Sequence, residues 1–400
     1  MRDIFYTIIN QFTCLINSAY IIGENIVSPL GFTAEENFNN VSLNKSGLKT
    51  IHDTSFIPLP FSGARIEDDI LEHSFQQLNV KDKFTRLEKM MLLSVNDAVH
   101  LSGIDVKGND TLFVFSSTKG NIELLNSKFK DEFDLLRIQL WRTAQVVTDH
   151  FGNRNKPVVI SNACISGVVA IIYAAELIQQ GKFKNAVVCG MDALTEFVVS
   201  GFQSFLAISS KPCKPFDKNR TGISLGEACA TIVLSSEKNK NENPSIEIIG
   251  GTTSNDANHI SGPSRTGEGL VKAIEHVFSK HKISAEEIDF ISAHGTATPY
   301  NDEMEAIAFS RTNLECAPVN SFKGYYGHTL GAAGVLETVL TSMSMKNNLL
   351  VKSLGYSESG VSKPVNVISG NIRKEINTSL KVASGFGGCN AAMILRKNEH

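Results

Sequence analysis

One pattern occurs twice along this chain and limits the possible folds more than any other feature of the sequence. In the first half, the apolar run PVVI leads through the small-residue turn SNACISG into the apolar helical segment VVAIIYAAELIQQG. In the second half, PVNSFKGYYGHTLG leads into AAGVLETVLTSMSM. A predicted strand that ends near glycines follows each copy, VVCGMDA in the first and VASGFGG in the second. The repetition predicts an α/β protein built from two similar halves.

Strand-like runs alternate with helix-like periodicity through both halves. In the first half, helical spacing predicts a helix at Leu87–Leu101 that ends at Gly103, and buried strands are predicted at Leu112–Ser116, Pro157–Ile160 and Ala186–Cys189. The polar run Glu237–Pro244 predicts a connector. In the second half we expect strands near Ile246–Ile249, Ile288–Ser292, Leu380–Ala383 and Ala391–Leu395, and helices near Glu268–Lys280 and after Thr329. The chain is therefore divided into an extension at 1–17, a first half at 18–240 and a second half at 241–400.

Charge and cysteine content argue against several classes of protein. A formal net charge of −3 gives no field that would attract the chain to nucleic acid or to an anionic membrane. The seven cysteines form no CxxC or Cys/His ligand spacing, so a zinc module or a disulfide scaffold is not indicated. The first fifteen residues lack the pattern of a signal peptide, and no apolar stretch reaches the ~18 residues that a membrane span needs. We expect a cytoplasmic protein without a membrane span, a metal site or a nucleic-acid partner.

Cys164 is the candidate nucleophile. It lies in SNACISG between a predicted strand and a predicted helix, where Ser166 and Gly167 are small enough to allow close approach. The first turn of a helix has unpaired backbone N–H groups and the positive end of the helix dipole, both of which favour a thiolate. The thiolate is the form that attacks a thioester. The alternative is a structural cysteine at a tight packing point, which is our interpretation of the other six cysteines.

His294 is the first candidate partner of that cysteine. It follows a predicted strand in FISAHGTATPYNDEMEAIAF, and Thr296 and Thr298 stand on either side of an alanine beyond it. Asn301 or Asp302 is predicted to cap the helix that begins directly afterwards. A histidine at a strand end beside two hydroxyls is a catalytic candidate, although a hydrogen-bonded loop histidine is the alternative.

His328 is the second candidate, in NSFKGYYGHTLGAAGVLE at the start of the apolar helix of the second half. A helix N-terminus disfavours the imidazolium ion, so we expect a neutral ring near pH 7. Lys323 lies five residues before His328, and Glu337 lies nine after it. A buried Lys–Glu pair could fix this loop, and two solvated surface charges are the alternative.

The segment SGFGGCNAAMIL is the last candidate element. Gly385, Gly387 and Gly388 surround Phe386 just before a predicted strand. Such a loop permits backbone N–H groups to point at a ligand, as an oxyanion hole requires, although a plain tight turn would have the same sequence. The segment is not a GxGxxG fingerprint and opens no helix, so nucleotide binding is not indicated.

Taken together, these motifs resemble those of the β-ketoacyl-[acyl-carrier-protein] synthase family, of the type that uses one cysteine and two histidines. The resemblance extends over residues 18 to 395. It rests on five motifs in the family's order: KPFDKNRTGISLGEA at Lys214–Ala228, SNDANHISGP at Ser254–Pro263, HGTATPYND at His294–Asp302, KGYYGHTLGAAG at Lys323–Gly334 and GFGGCNAAMIL at Gly385–Leu395. The resemblance implies a thiolase-like fold, an αβαβα layered sandwich of two similar halves, which is usually paired as a dimer.

The resemblance also implies a mechanism. Cys164 would take an acyl group from the phosphopantetheine arm of an acyl carrier protein, with its own N–H and that of Phe386 as the oxyanion hole. His294 and His328 would assist the loss of CO₂ from a malonyl-carrier and stabilise the enolate, which attacks the acyl-cysteine. The product is a β-ketoacyl-carrier, and no metal or cofactor of the protein's own is implied.

Other site residues receive supporting roles from the same resemblance. Lys323 and Glu337 would orient the site, Thr296 and Thr298 would hydrogen-bond the pantetheine arm, and Phe386 would also gate the acyl pocket. The partner subunit would be an identical copy or a related chain. Primary fatty-acid synthesis and a polyketide or aryl-polyene pathway both remain open.

Two departures from the family pattern and three rival functions complete the sequence analysis. Ala228 stands where the family usually has glycine, and Cys389 where it usually has threonine; both residues are small. A thiolase or initiating synthase is disfavoured by His328 with its upstream Lys323. A non-condensing partner subunit, similar to a chain-length factor, would typically lack the nucleophile. The motifs give no support to a Cys–His hydrolase.

Overall fold

The computed structural model describes residues 17–129, 132–239, 244–256 and 264–399. Nearly all of the predicted extension at 1–17 lies outside the described residues, as do residues 240–243 of the predicted connector and residues 257–263 of the SNDANHISGP motif. Within the described ranges, no helix has both the length and the apolar character needed to cross a membrane.

The predicted elements are present with small differences in their bounds. The strands are β1 (Tyr20–Val27), β2 (Lys49–Ile51), β3 (Phe61–Ala64), β4 (Thr111–Ser116), β5 (Val158–Ile160), β6 (Asn185–Asp192), β7 (Leu225–Gly226), β8 (Ala228–Ser235), β9 (Ser245–Asn255), β10 (Phe290–Ser292), β11 (Val319–Asn320), β12 (Leu349–Leu350), β13 (Ile372–Arg373), β14 (Thr378–Gly385) and β15 (Cys389–Asn398). The α-helices are α1 (Ala34–Ser42), α2 (Asp68–Gln76), α3 (Arg86–Ser102), α4 (Leu140–His150), α5 (Ser166–Gln179), α6 (Glu196–Ser204), α7 (Glu268–His281), α8 (Pro299–Arg311), α9 (Lys323–Tyr326) and α10 (Ala333–Asn347).

Ten strands form one mixed sheet in the order β11-β10-β14-β15-β9-β1-β8-β6-β4-β5. The first half contributes β5-β4-β6-β8-β1, and the second half contributes the same arrangement as β11-β10-β14-β15-β9. In each half three strands run parallel and the remaining two pair antiparallel to their neighbours. The half-sheets join edge to edge where β1 pairs with β9 at Tyr20↔Glu247 and Ile21↔Ile246.

Helices α5 and α10 lie at the centre of the molecule, where they contact each other and strands of both half-sheets. The outer face of the first half-sheet is covered by α3, and that of the second by α7 and α8. The central helices cross at Gly167 and Gly334, because a Cβ added to Gly167 would lie 2.9 Å from the Gly334 Cα atom. The predicted five-layer αβαβα sandwich of two similar halves is therefore confirmed.

The start of α8 differs from the prediction. The helix begins at Pro299 with Thr298 as its N-cap, rather than after Asn301 or Asp302. Proline suits the first turn of a helix, because its fixed φ is helical and its missing N–H is not needed there. Asp302 therefore lies inside the first turn, where its carboxylate accepts hydrogen bonds from the backbone N–H groups of Phe216 and Ala297.

Candidate active site

Three reactive side chains meet where central elements of the two halves begin and end. Cys164 lies just before α5, His294 just after β10, and His328 in the loop before α10. One thiol or ring-nitrogen atom of each lies within 4.8 Å of those of the other two, and all three residues are buried. The first half thus supplies the thiol and the second half supplies both imidazoles.

A strained turn holds Cys164. Ala163 has a φ of +45°, a conformation that residues other than glycine rarely adopt. The Ser166 hydroxyl closes the turn, since it accepts the Asn162 N–H at 2.8 Å and donates to the Ala163 carbonyl at 2.6 Å. The buried, apolar helix α5 follows directly and fixes this turn against the core.

Burial controls the protonation of Cys164. Burial, with a smaller contribution from nearby Cys389, outweighs the opposing effects of Lys323 and of the Phe386 backbone N–H, and the net result is a pKa of the thiol raised to about 12. The sequence-based expectation of a favoured thiolate is therefore wrong for the resting site. The helix dipole is outweighed, because Cys164 is only 7% exposed and lies outside the helix, which begins at Ser166.

Hydrogen bonds define the tautomers of the two histidines. The backbone N–H of Leu330 donates to His328 Nδ1 at 3.2 Å, and Lys323 Nζ lies 3.4 Å from His294 Nδ1. Each neutral ring therefore carries its proton on Nε2, and His328 Nε2 has no hydrogen-bond partner among the described residues. Burial, aided by the charges of Lys323 and Lys381, lowers the pKa of both imidazoles well below the usual value. Two neutral N–H donors thus lie beside the thiol.

A buried ion cluster supports His294. Lys323 Nζ donates to Glu337 Oε1 at 2.6 Å and to the His294 carbonyl at 2.5 Å. Lys381 Nζ donates to the other carboxylate oxygen of Glu337 at 2.6 Å. The two lysines lower the pKa of Glu337 against the effect of its burial. Lys381 was not identified from the sequence, although a lysine within the apolar strand SLKVA was a visible signal.

Two further buried carboxyl groups lie behind the histidine loop. Glu305 accepts the backbone N–H groups of His294 and Gly295, both at 2.7 Å. Burial raises the pKa of Glu305 to about 7 and that of Asp302 to about 6. The hydroxyls of Thr296 and Thr298 are 2.8 Å apart. Glu305 was not identified from the sequence, because an acid within a polar helical segment usually faces solvent.

A cavity of about 830 Å³ leads to these groups, and its wall includes the thiol, both histidines and both threonines. Phe386 lies on this wall, 37% exposed, and its ring stacks on Phe202 at 5.6 Å and meets Phe205 edge-on at 5.5 Å. The sequence analysis did not identify Phe202 and Phe205, because α6 and the loop after it approach the site only in the folded chain.

The three central side chains are poorly suited to a metal ion. A metal-bound histidine normally donates its second ring N–H to a carboxylate or a carbonyl. Here Nδ1 of both His294 and His328 faces a donor instead, which leaves the proton on Nε2. Burial also keeps the Cys164 thiol protonated.

The sequence is similar to those of known proteins. The model of the β-ketoacyl synthase N-terminal domain matches residues 18–240, and that of the C-terminal domain matches residues 246–357. A 3-oxoacyl-[acyl-carrier-protein] synthase 2 from Coxiella burnetii is 27% identical over 94% of this chain and 98% of its own length. The ketoacyl synthase alpha subunit of a tetracenomycin polyketide synthase from Streptomyces glaucescens is 32% identical over 60% of this chain and 59% of that protein.

The fold has close counterparts among solved structures. One chain of a solved complex between a ketosynthase and its chain length factor, from Xenorhabdus doucetiae, superposes with a TM-score of 0.82 at 23% identity, covering 96% of this chain and 98% of the other. Since the N-terminal domain model alone spans more than half of the residues, the similarity extends well beyond the fold. The chain belongs to the β-ketoacyl synthase family of acyltransferase-type condensing enzymes.

Proposed function

We propose that this protein is a 3-oxoacyl-[acyl-carrier-protein] synthase that condenses an acyl group on Cys164 with malonyl-carrier, with loss of CO₂. The observation that carries the proposal is the convergence of a thiol and two Nε2–H donors at one cavity. The neighbouring backbone N–H of Phe386 points at the thiol and completes the set. This combination provides a nucleophile, an anion site and donors for an enolate.

In the first step, Cys164 attacks the thioester carbonyl of an acyl-carrier. A new carbon–sulfur bond forms, the carrier thiolate leaves, and the proton of Cys164 passes to that leaving thiolate. The oxyanion formed on the way accepts hydrogen bonds from the backbone N–H groups of Cys164 and Phe386. The raised pKa of Cys164 makes deprotonation part of this step rather than a property of the resting enzyme.

In the second step, malonyl-carrier enters the same cavity. As its carbon–carboxylate bond breaks, the electron pair moves onto the thioester carbonyl, whose oxygen accepts hydrogen bonds from Nε2–H of His294 and His328. The enolate carbon then attacks the acyl-Cys164 carbonyl, the bond to sulfur breaks, and β-ketoacyl-carrier forms. The thiolate of Cys164 takes up one proton from solvent, which restores the enzyme.

Supporting roles follow from the contacts around the reacting groups. Lys323, held by Glu337, fixes the orientation of His294 through both its carbonyl and Nδ1. Thr296 and Thr298 lie on the cavity wall, and in this proposal their hydroxyls hydrogen-bond the amides of a phosphopantetheine arm. Phe386 gates the acyl pocket. In this proposal the substrate's own arm supplies the thioester, and the enzyme needs no further cofactor.

The partners we propose are an acyl carrier protein and a second subunit, identical or related. Strand β5 forms an edge of the large sheet, and Leu125, Leu135, Leu136 and Trp141 are exposed apolar side chains of the first half, each at least 50% exposed. Exposed apolar groups and an unpaired strand edge favour association. We also propose the division at 240/241 and a cytoplasmic location; the six described cysteines, all free, are compatible with a reducing compartment.

Mass spectrometry tests the proposal directly. The protein is incubated with acyl carrier protein loaded with acyl chains of several lengths, and the modified peptide is mapped. We expect an acyl adduct on Cys164 that is absent from Cys164→Ala, followed by a β-ketoacyl-carrier product when malonyl-carrier is added. A wild-type protein that accepts no chain, alone or mixed with a related subunit, would contradict the proposal.

A further inference from the structure

Lys381 is a buried lysine that the mechanism above does not use. It lies in the middle of β14, where its side chain is fully buried, and its neighbours Leu380 and Val382 belong to the outer hydrophobic cluster of the second half. Side chains alternate along a strand, so Lys381 points to the opposite face, towards the central helix α10. A lysine is rarely found fully buried unless its charge is paired.

The ammonium group of Lys381 is fully hydrogen-bonded. It donates to Glu337 Oε2 at 2.6 Å, to the Val382 carbonyl at 2.9 Å and to the Ser292 carbonyl at 3.2 Å, which accounts for its three protons. Ser292 is the last residue of β10, two positions before His294. Lys381 therefore connects the carboxylate of Glu337 to the strand end that carries a histidine.

The two lysines bind different oxygens of the same Glu337 carboxylate. Lys323 binds Oε1 of Glu337 and the His294 carbonyl, while Lys381 binds Oε2 and the strand before His294. With two ammonium groups and one carboxylate, the cluster has a net charge of +1 beside two imidazoles. A positive charge held near an imidazole disfavours its protonation.

We propose that Lys381 is a positioning residue for decarboxylation, which orients Glu337 and the His294 strand end and places a second positive charge that further disfavours protonation of the two buried imidazoles. The inference rests on the proposed function and goes beyond it, because it assigns a role to a residue outside the cavity wall. It predicts that removal of this one charge changes the pH range in which the histidines act as donors.

The sign of the change follows from the charges around the two rings. The titratable groups that face them are Cys164, Asp302, Glu305, Lys323, Glu337 and Lys381. Arg220 and Arg265 lie further out on the cavity wall. Without the Lys381 charge, Lys323 and Glu337 cancel each other, so the pKa of both histidines rises. As the pH is lowered, the decarboxylation rate of the variant is therefore lost at a higher pH than in the wild type. The expected shift is about one pH unit for a charge within ~10 Å.

The experiment measures decarboxylation of malonyl-carrier against pH for the wild type, Lys381→Met and Lys381→Arg. Lys397→Met is the matched control, because Lys397 is a buried lysine of the neighbouring strand β15 whose Nζ donates to Asn348, 2.9 Å away. Acylation of Cys164 is followed in parallel by intact mass. If Lys381→Met does not fold, Lys381→Gln takes its place, because it removes the charge and retains a hydrogen-bond donor.

In Lys381→Met, the acid side of the pH–rate profile for decarboxylation is expected to shift to higher pH by about one unit, while acylation of Cys164 is retained. Lys381→Arg and Lys397→Met are expected to keep the wild-type profile. The inference is overturned if the pH–rate profile of Lys381→Met superimposes on that of the wild type. It is also overturned if Lys397→Met shows a shift equal to that of Lys381→Met. If the wild type neither acylates nor decarboxylates, the proposed function is overturned and this inference with it.

Discussion

The two halves share a strand order but use corresponding strand ends differently. In the first half, β4 and β6 end at Ser117, Thr118 and Asp192, whose carboxylate accepts hydrogen bonds from both hydroxyls and from the Gly331 N–H. In the second half, the corresponding strands β10 and β14 lead to His294 and to the Phe386 loop. The strand ends of the first half thus hydrogen-bond to the turn before α10, while those of the second half lead to the proposed reacting groups.

The central helices differ in the same sense. Helix α5 is buried and apolar and delivers Cys164 at its start, whereas α10 contains the buried Glu337 between two lysines. A duplicated scaffold therefore separates the two tasks. In the proposed mechanism, the first half supplies the nucleophile in an apolar setting, and the second half supplies a polar, charged setting for decarboxylation.

The largest expected effect is that of removing the proposed nucleophile, which the first half contributes. Cys164→Ala should lower condensation by roughly three orders of magnitude or more, because no other thiol lies beside both histidines in the described part of the chain. Steady-state production of β-ketoacyl-carrier measures this. Cys316→Ala, at an exposed cysteine of the second half, is the control and should retain the wild-type rate.

The next prediction compares the loss of a buried carboxylate on α10 with the loss of a surface carboxylate on α5. Glu337→Gln leaves two buried ammonium groups without a carboxylate and should reduce the free energy of unfolding by about 3–5 kcal/mol in urea titrations. Glu176→Gln on α5 removes only a surface pair with Lys280, which should cost at most about 1 kcal/mol. Equal losses in the two variants would show that the halves do not differ in this way.

A smaller effect probes the contact between the halves. Gly167→Ala and Gly334→Ala each introduce a methyl group into the crossing of α5 and α10 and should destabilise the protein by about 1–3 kcal/mol. Gly201→Ala in α6 has open space around it and should be neutral or stabilising by up to about 1 kcal/mol. Thermal unfolding experiments rank the stabilities of the three variants. A Gly167→Ala variant as stable as the wild type would contradict the close crossing of the two helices.

The last comparison concerns the pH dependence of the two half-reactions. Because the pKa of Cys164 is raised to about 12, single-turnover acylation should accelerate with pH, by up to about tenfold per unit. Both histidines have a pKa well below the usual 6.5, so they stay neutral above that pH and lose activity only at more acidic pH. Decarboxylation by Cys164→Ala should therefore vary little from about pH 6.5 to about pH 8.5.

The two pH profiles are measured on the same preparation, by intact mass for acylation and by CO₂ release for decarboxylation. Parallel profiles would contradict the separation of tasks between the halves. An inflection near pH 7 in the second profile would point instead to Glu305, whose pKa is about 7 and whose carboxylate binds the His294 N–H.

The sequence predicted the fold well, because apolar periodicity and the repeated strand–turn–helix pattern are local signals. The locations of Cys164, His294 and His328 were visible for the same reason, since each follows a strand or precedes a helix. Protonation was harder to predict. Burial outweighs the helix dipole at Cys164, and burial depends on segments distant in the chain.

The roles of two other residues were not predicted, because they too depend on segments distant in the chain. Lys381 gains its meaning only from Glu337, which lies forty-four positions earlier on another element. Phe202 reaches Phe386 across a still longer separation. The cap of α8 was misplaced for a local reason, because Pro299 starts the helix before the more familiar capping residues.

The pairing of β1 with β9 has a mechanical consequence. The strand pairing at this seam and the close crossing of the two central helices connect the half-sheets within the described residues. The thiol from one half and both imidazoles from the other line the same cavity. In the proposed mechanism both carriers therefore use this one cavity in turn, and the acyl group stays covalently bound to Cys164 between the departure of the first carrier and the arrival of the second.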